Sequence, residues 1–161
     1  MVHLRQSVKT LLLVLVCLAM PLASVQAQSD EAAIGYRQKV MQSVGANMGA
    51  TGDILKNKLP QQGNIVHHAY QIQSASQLIA SAFKQQVTAG KTDAKEEVWK
   101  DWDKFVAAAK ELEEESGKLA TVAQSGDMAA IDAQVKAVGK SCGDCHKPFR
   151  KPKEESYKQQ K

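Results

Sequence analysis

Apolar residues recur at alternating steps of three and four through most of this chain, and that spacing constrains the fold more than any other feature. Over residues 30 to 57 the line runs through Ile34, Arg37, Met41, Val44, Met48, Thr51 and Leu55, one helix face that is polar only at Arg37 and Thr51. Pro60 and Gly63 break the pattern, which resumes over residues 64 to 88 through Ile65, His68, Ile72, Ala75, Ile79 and Phe83. A third segment, from Asp93 to about Ser125, carries Val98, Trp102, Phe105, Ala109, Leu112, Ser116 and Leu119, with solvated charge on its outer face, including Glu113, Glu114 and Glu115. Gly126 then ends one helix and Asp127 caps the next, whose line is Ile131, Val135, Val138, Cys142, Cys145 and Phe149. No stretch alternates strongly enough to be a strand. Four helical segments with short connections predict an all-α fold, an antiparallel four-helix bundle.

The fourth segment ends in Cys142-Gly-Asp-Cys145-His146, in a chain with only 3 Cys and 4 His among 161 residues. Chance placement of C-x-x-C-H at this composition is about one in a thousand, so the motif needs an explanation. Haem attachment uses every residue of it: thiols at i and i+3 face one way to form thioethers, and His146, at i+4 from Cys142, points to the same side as iron ligand. A thioredoxin-like redox pair would sit at a helix start beside a sheet, whereas this one lies toward a helix end. A zinc site would need a fourth ligand from His67, His68 or a carboxylate, with no matching second pair. The bundle is thus expected to enclose one covalently attached haem c, with its iron.

Residues 1–27 have the form of a secretory signal: Arg5 and Lys9, an apolar run containing Cys17, then Val25-Gln26-Ala27. The run is shorter than the ~20 residues a membrane span needs and Pro21 interrupts its end, so an anchor is the lesser reading. Residues 28–161 would form the exported domain, with a polar C-terminal tail from about 152. The signal holds two basic residues and no acidic one, so the net charge of +4 falls to +2 in the mature chain. That balance describes a mixed-sign surface and argues against a nucleic-acid partner, and after cleavage against a membrane one. The tail reads as a solvated, partly frayed terminus. Only Cys142 and Cys145 remain in the exported chain, where they must be bonded or capped.

Arg37 on an apolar stripe either snorkels to solvent or meets a buried anion, and a haem would supply propionates suited to a guanidinium fork.

Three stretches, "YRQKVM" near the start of the exported chain, "TDAKEEVW" before the third helix and "CGDCHKPFR" at the end, together resemble the cytochrome c′ family over about residues 30 to 152. The resemblance implies a monohaem four-helix bundle of the bacterial periplasm, with His146 as proximal ligand, Arg37 beside a propionate, Met41 facing the distal side of the haem, and Arg150 near the proximal histidine. Two departures stand out. Phe149 replaces the family's usual tyrosine, and Pro148, which lacks an N–H and would clash with the Asp144 carbonyl, predicts a kink or an early helix end.

Met41 leaves two functions open. As a sixth ligand its thioether would raise the potential and suit a one-electron carrier serving redox partner proteins. As core filling it would leave a vacant distal site for nitric oxide or carbon monoxide. Met48, two turns on, and His68 are rival ligands. His67 is expected to face solvent, and Trp99 and Trp102 to pack the core or a contact with a second copy in a homodimer. No paired carboxylates or nucleophile–base arrangement stands out, so an enzyme is not expected.

Overall fold

A computed structural model describes the backbone of residues 22–159, with side chains from residue 29 on. The charged and apolar parts of the expected signal, residues 1–21 with Cys17, lie outside the described residues. The chain divides into two compact units, residues 1–30 and 31–161, and the second holds the haem-attachment motif.

Six α-helices occur among the described residues: α1 Leu22–Lys56, α2 Ile65–Ser76, α3 Ile79–Ala82, α4 Glu97–Lys100, α5 Trp102–Ala123 and α6 Met128–Phe149, with single 3₁₀ turns at Gln62–Asn64 and Lys153–Glu155. They make an all-α antiparallel four-helix bundle whose staves are α1, α2 with α3, α4 with α5, and α6. Helix α5 is the hub, packing against α2, α3, α4 and α6. The fully buried residues Ile65, Ile72, Leu119, Ile131, Val98 and Val138 come from several staves and meet in one core. An aromatic group closes one end of it: Phe105 lies 5.1 Å from Phe83, 5.6 Å from Trp102 and 5.4 Å, edge-on, from Phe149. Among the described residues there is no strand, only one bridge between Ala94 and Arg150.

Local chemistry sets several boundaries as expected. Asp127 Oδ1 accepts from the Ala129 and Ala130 N–H groups at 3.0 and 3.1 Å and starts α6. Gly126, at φ +71°, turns the chain after α5. Helix α1 ends in a Schellman motif: the Leu59 N–H donates to the Ile54 carbonyl and the Lys58 N–H to that of Leu55. Lys58 takes the left-handed position, at φ 51°.

Other boundaries differ from expectation, and each difference has a physical cause. Helix α1 begins at Leu22, well before residue 30, through a stretch free of Gly and Pro. The second segment does not stay helical to residue 88: α2 stops at Ser76, a turn leads into the short α3, and residues 84–96 are irregular. Arg37, 2% exposed, takes the carbonyls of Ala82, Gln85 and Val87, which a continuing helix would have needed. The third helix starts at Glu97 rather than Asp93, and Asp101 (φ −113°, ψ 45°) interrupts it.

The tail is also corrected. It is not frayed through residue 158 but folded back on residues 91–95. Asp93 accepts from Ser156 Oγ and from the Tyr157 N–H, both at 2.9 Å, and Ser156 is buried. Pro148 goes with the expected early end of α6. It occupies the last turn, the helix ends one residue later, and the Arg150 N–H still reaches the His146 carbonyl at 3.0 Å.

Candidate haem site

Helix α6 carries the motif in its last third. Cys142 and Cys145 are free thiols, half-buried and packed against the core, while their neighbour Ser141 is the buried residue of that turn. The inner line is therefore one residue off the expected one here, and the thiols stand at its edge. A similar offset occurs on α1. Val40 and Ile54 are buried, whereas Met41, Met48 and Leu55, spaced by sevens, form a half-buried edge against the core.

These two edges meet. A Cβ on Gly139 of α6 would lie 3.6 Å from the Met48 methyl. Nearer the start of α1, Gln38 Nε2 donates at 3.2 Å to the hydroxyl of Tyr157, which lies in the tail beyond α6; in the antiparallel bundle, rising numbers along α1 run beside falling numbers along α6. Met41 precedes Met48 by seven residues, about 10 Å of helix, and His146 follows Gly139 by the same seven. Counted from that contact, Met41 and His146 each lie seven residues farther toward the same end of the bundle, while the Met48 methyl packs a turn before Cys142.

The electrostatics separate the possible chemistries of the motif. Burial pushes the Cys142 thiol up, opposed by its own backbone hydrogen bond, and pushes Cys145 up to about 11, with Cys142 adding to the effect. A redox-active C-x-x-C needs the opposite, a stabilised thiolate at a helix N-terminus, and these thiols lie toward the negative end of the helix dipole. Among the described residues no three or more His, Cys, Asp and Glu side chains converge into a metal-ligand group, which is what a zinc site would require. His146 is solvent-accessible, yet protein on its inner side desolvates the imidazolium and lowers its pKa, with the Arg150 charge adding repulsion. The neutral ring is the form that binds iron. Two neutral thiols three residues apart, an adjacent neutral imidazole and half-buried thioethers on the facing edge of α1 fit a covalently held haem.

Arg37 and Arg150 have protein partners. Besides its three carbonyls, the Arg37 guanidinium lies 5.1 Å from the ring centres of both Phe83 and Trp99, and Trp99 Nε1 donates to the Phe83 carbonyl at 2.8 Å. It does not snorkel. Arg150 is exposed and stands 3.7 Å from the Asp93 carboxylate. His68 is half-buried and shares a 2.8 Å hydrogen bond with Asn47 Oδ1 of α1, and His67 faces solvent as expected. Trp99 and Trp102 both pack against the core. Sequence reasoning did not single out Asp93 or Gln38 as site-supporting residues. Their partners lie some fifty to sixty positions away or more, and no local signal marks them.

Comparison with known proteins gives the family. The family model described as Cytochrome C' matches residues 32–150. A cytochrome c′ of Rhodospirillum rubrum is 35% identical over 145 residues, covering 88% of this chain and 98% of the relative. A cytochrome c-556 of Agrobacterium tumefaciens is 28% identical, covering 71% of this chain and 93% of the relative. Among solved structures, a variant of cytochrome c prime from Alcaligenes xylosoxidans in complex with nitric oxide superposes with a TM-score of 0.69 at 28% identity, covering 77% of this chain and 97% of that one. The chain therefore belongs to the cytochrome c′ family and is a monohaem c-type cytochrome, with haem c as its covalently attached cofactor.

Proposed function

We propose that the protein is a periplasmic one-electron carrier in which Cys142 and Cys145 would anchor the haem and His146 and Met41 would be the ligands of its iron. The observation that supports this reading is the Met48 methyl packed at Gly139, from which a count of seven residues along each antiparallel helix carries Met41 and His146 toward the same end of the bundle. When attached, the haem supplies a one-electron iron couple, whose potential a Met/His ligand pair raises. The chain's own contribution is a rigid, largely apolar frame. Cys142 and Cys145 fix position along α6, His146 presents a neutral nitrogen, and a half-buried thioether on a second helix needs little rearrangement to serve as a ligand.

Arg37, one turn before Met41, would meet a propionate from the same fork that holds residues 82–87; Arg150 would stand on the histidine side. Export follows from Arg5, Lys9 and the apolar run after them. Among the described residues no helix is long and apolar enough to cross a membrane. Redox partner proteins are the expected partners, met as a monomer or as a homodimer.

The second reading is a vacant distal site that binds nitric oxide or carbon monoxide, favoured by the nitric oxide complex of the structural relative. Carbon monoxide mixing with the ferrous protein decides between them. Under the carrier reading binding is slow or absent in the native protein and fast in Met41→Ala; fast binding by both proteins overturns it.

A further inference from the structure

Pro148 removes the N–H that would bond the Asp144 carbonyl, so the last turn of α6, which carries His146, is one hydrogen bond short of a regular helix. Contacts from outside the helix are arranged around that turn. The Lys95 N–H donates to the Phe149 carbonyl at 3.0 Å, the Lys151 N–H to the Asp93 carbonyl at 2.8 Å, and Lys151 Nζ to the Thr92 carbonyl at 3.3 Å. The Asp93 side chain is 12% exposed and takes three groups from the returning tail: Ser156 Oγ, the Tyr157 N–H and, at 3.7 Å, the Arg150 guanidinium. On the other side the same segment is tied to α1, where Gln38 Nε2 donates to the Lys91 carbonyl at 2.7 Å and to the Tyr157 hydroxyl. Gly90, at φ +84°, brings the segment close to Ile34.

We propose that Asp93 is a positioning residue for the proximal histidine: it fastens residues 150–157 across residues 91–95, and this clasp holds the last turn of α6 in place of the hydrogen bond that Pro148 removes. An acidic side chain suits the task because it accepts from a hydroxyl, an amide and a cation together, which Asn or Ser at this position could not do. The clasp also joins the helix bearing His146 to the helix bearing Met41, through Tyr157 and Gln38. The inference rests on His146 being the proximal ligand but not on Met41 being the distal one.

The test compares the haem-loaded native protein with Asp93→Ala, Asp93→Asn and a chain ending at Pro152, which keeps Asp93 and loses Ser156 and Tyr157. Two quantities are read: amide hydrogen exchange at Lys95, Arg150 and Lys151, and the midpoint potential of the haem. Asp93→Ala and the shortened chain should raise exchange at these amides about tenfold or more and shift the potential, with Asp93→Asn between them and the native protein. The potential is readable whether the sixth position is filled or vacant, so failure here is separate from failure of the ligation reading. If Asp93→Ala does not fold, the shortened chain still reports both quantities. Native exchange, or raised exchange with an unmoved potential, overturns the proposal.

Discussion

Replacing Arg37 by Met keeps an unbranched apolar stem but removes the guanidinium from the turn at residues 82–87. Three carbonyls lose a charged donor. Gln85 is exposed, so its carbonyl turns to water at little cost; Ala82 and Val87 are buried, and theirs do not. A buried group stripped of its partner costs about 1–3 kcal/mol and a ring contact about 0.5–1 kcal/mol, so two of each give about 3–8 kcal/mol. For a domain of this size that is a fall in Tm of roughly 10–30 °C. Urea denaturation of the haem-loaded protein measures it, with an unchanged slope and a lower midpoint. Hydrogen exchange should locate the loss, with faster exchange confined first to residues 82–88. Arg37→Lys should recover only part of the stability, since one ammonium cannot span carbonyls that the planar fork reaches together. A loss below about 1 kcal/mol, or a larger one that leaves exchange at 82–88 untouched, would show that Arg37 does not hold this turn.

Three further outcomes concern single sites. Cys142→Ala with Cys145→Ala should abolish covalent haem and destabilise the fold; haem that survives denaturation in the double variant would refute attachment through these thiols. Lys58→Gly should stabilise the protein by about 0.5–1 kcal/mol by relieving the left-handed backbone at the end of α1, and a lower urea midpoint would contradict that account. Glu115 accepts from Lys118 and from Gln134 of α6, which hold its carboxyl below the ordinary value of 4.5. The contribution is present above pH 4.5 and is lost as the pH falls through the lowered value, so native and Glu115→Gln proteins should differ in stability at pH 7 and converge once the pH is below that lowered value.

What the sequence made legible is what short-range chemistry decides. Gly126 and Asp127 mark the passage from α5 to α6 because one turns the chain and the other satisfies the next N–H groups, both within four residues. The line from Phe105 to Leu119 is read correctly because it lies on one unbroken helix. Residues 84–96 misled the periodic reading because a single buried cation on another helix claims the carbonyls there. The tail misled it because Lys, Glu and Gln look solvated until Asp93, some sixty positions earlier, folds beneath them. Met41 falls between these cases. A period of 3.6 puts positions 40 and 41 on the same face, and packing alone makes Val40 the buried one and leaves Met41 half-buried at the edge of the core. The motif Cys142 to His146 was visible at once, since its chemistry lies within a single helical turn.

The optical spectrum of the purified protein tests the ligation of the iron most directly. If Met41 is the sixth ligand, the oxidised protein shows the weak sulfur-to-iron band near the red end of the spectrum, the ferrous protein is low-spin, and the band disappears in Met41→Ala. A high-spin spectrum without that band, unchanged by the substitution, would contradict the carrier account and leave the gas-binding site in its place.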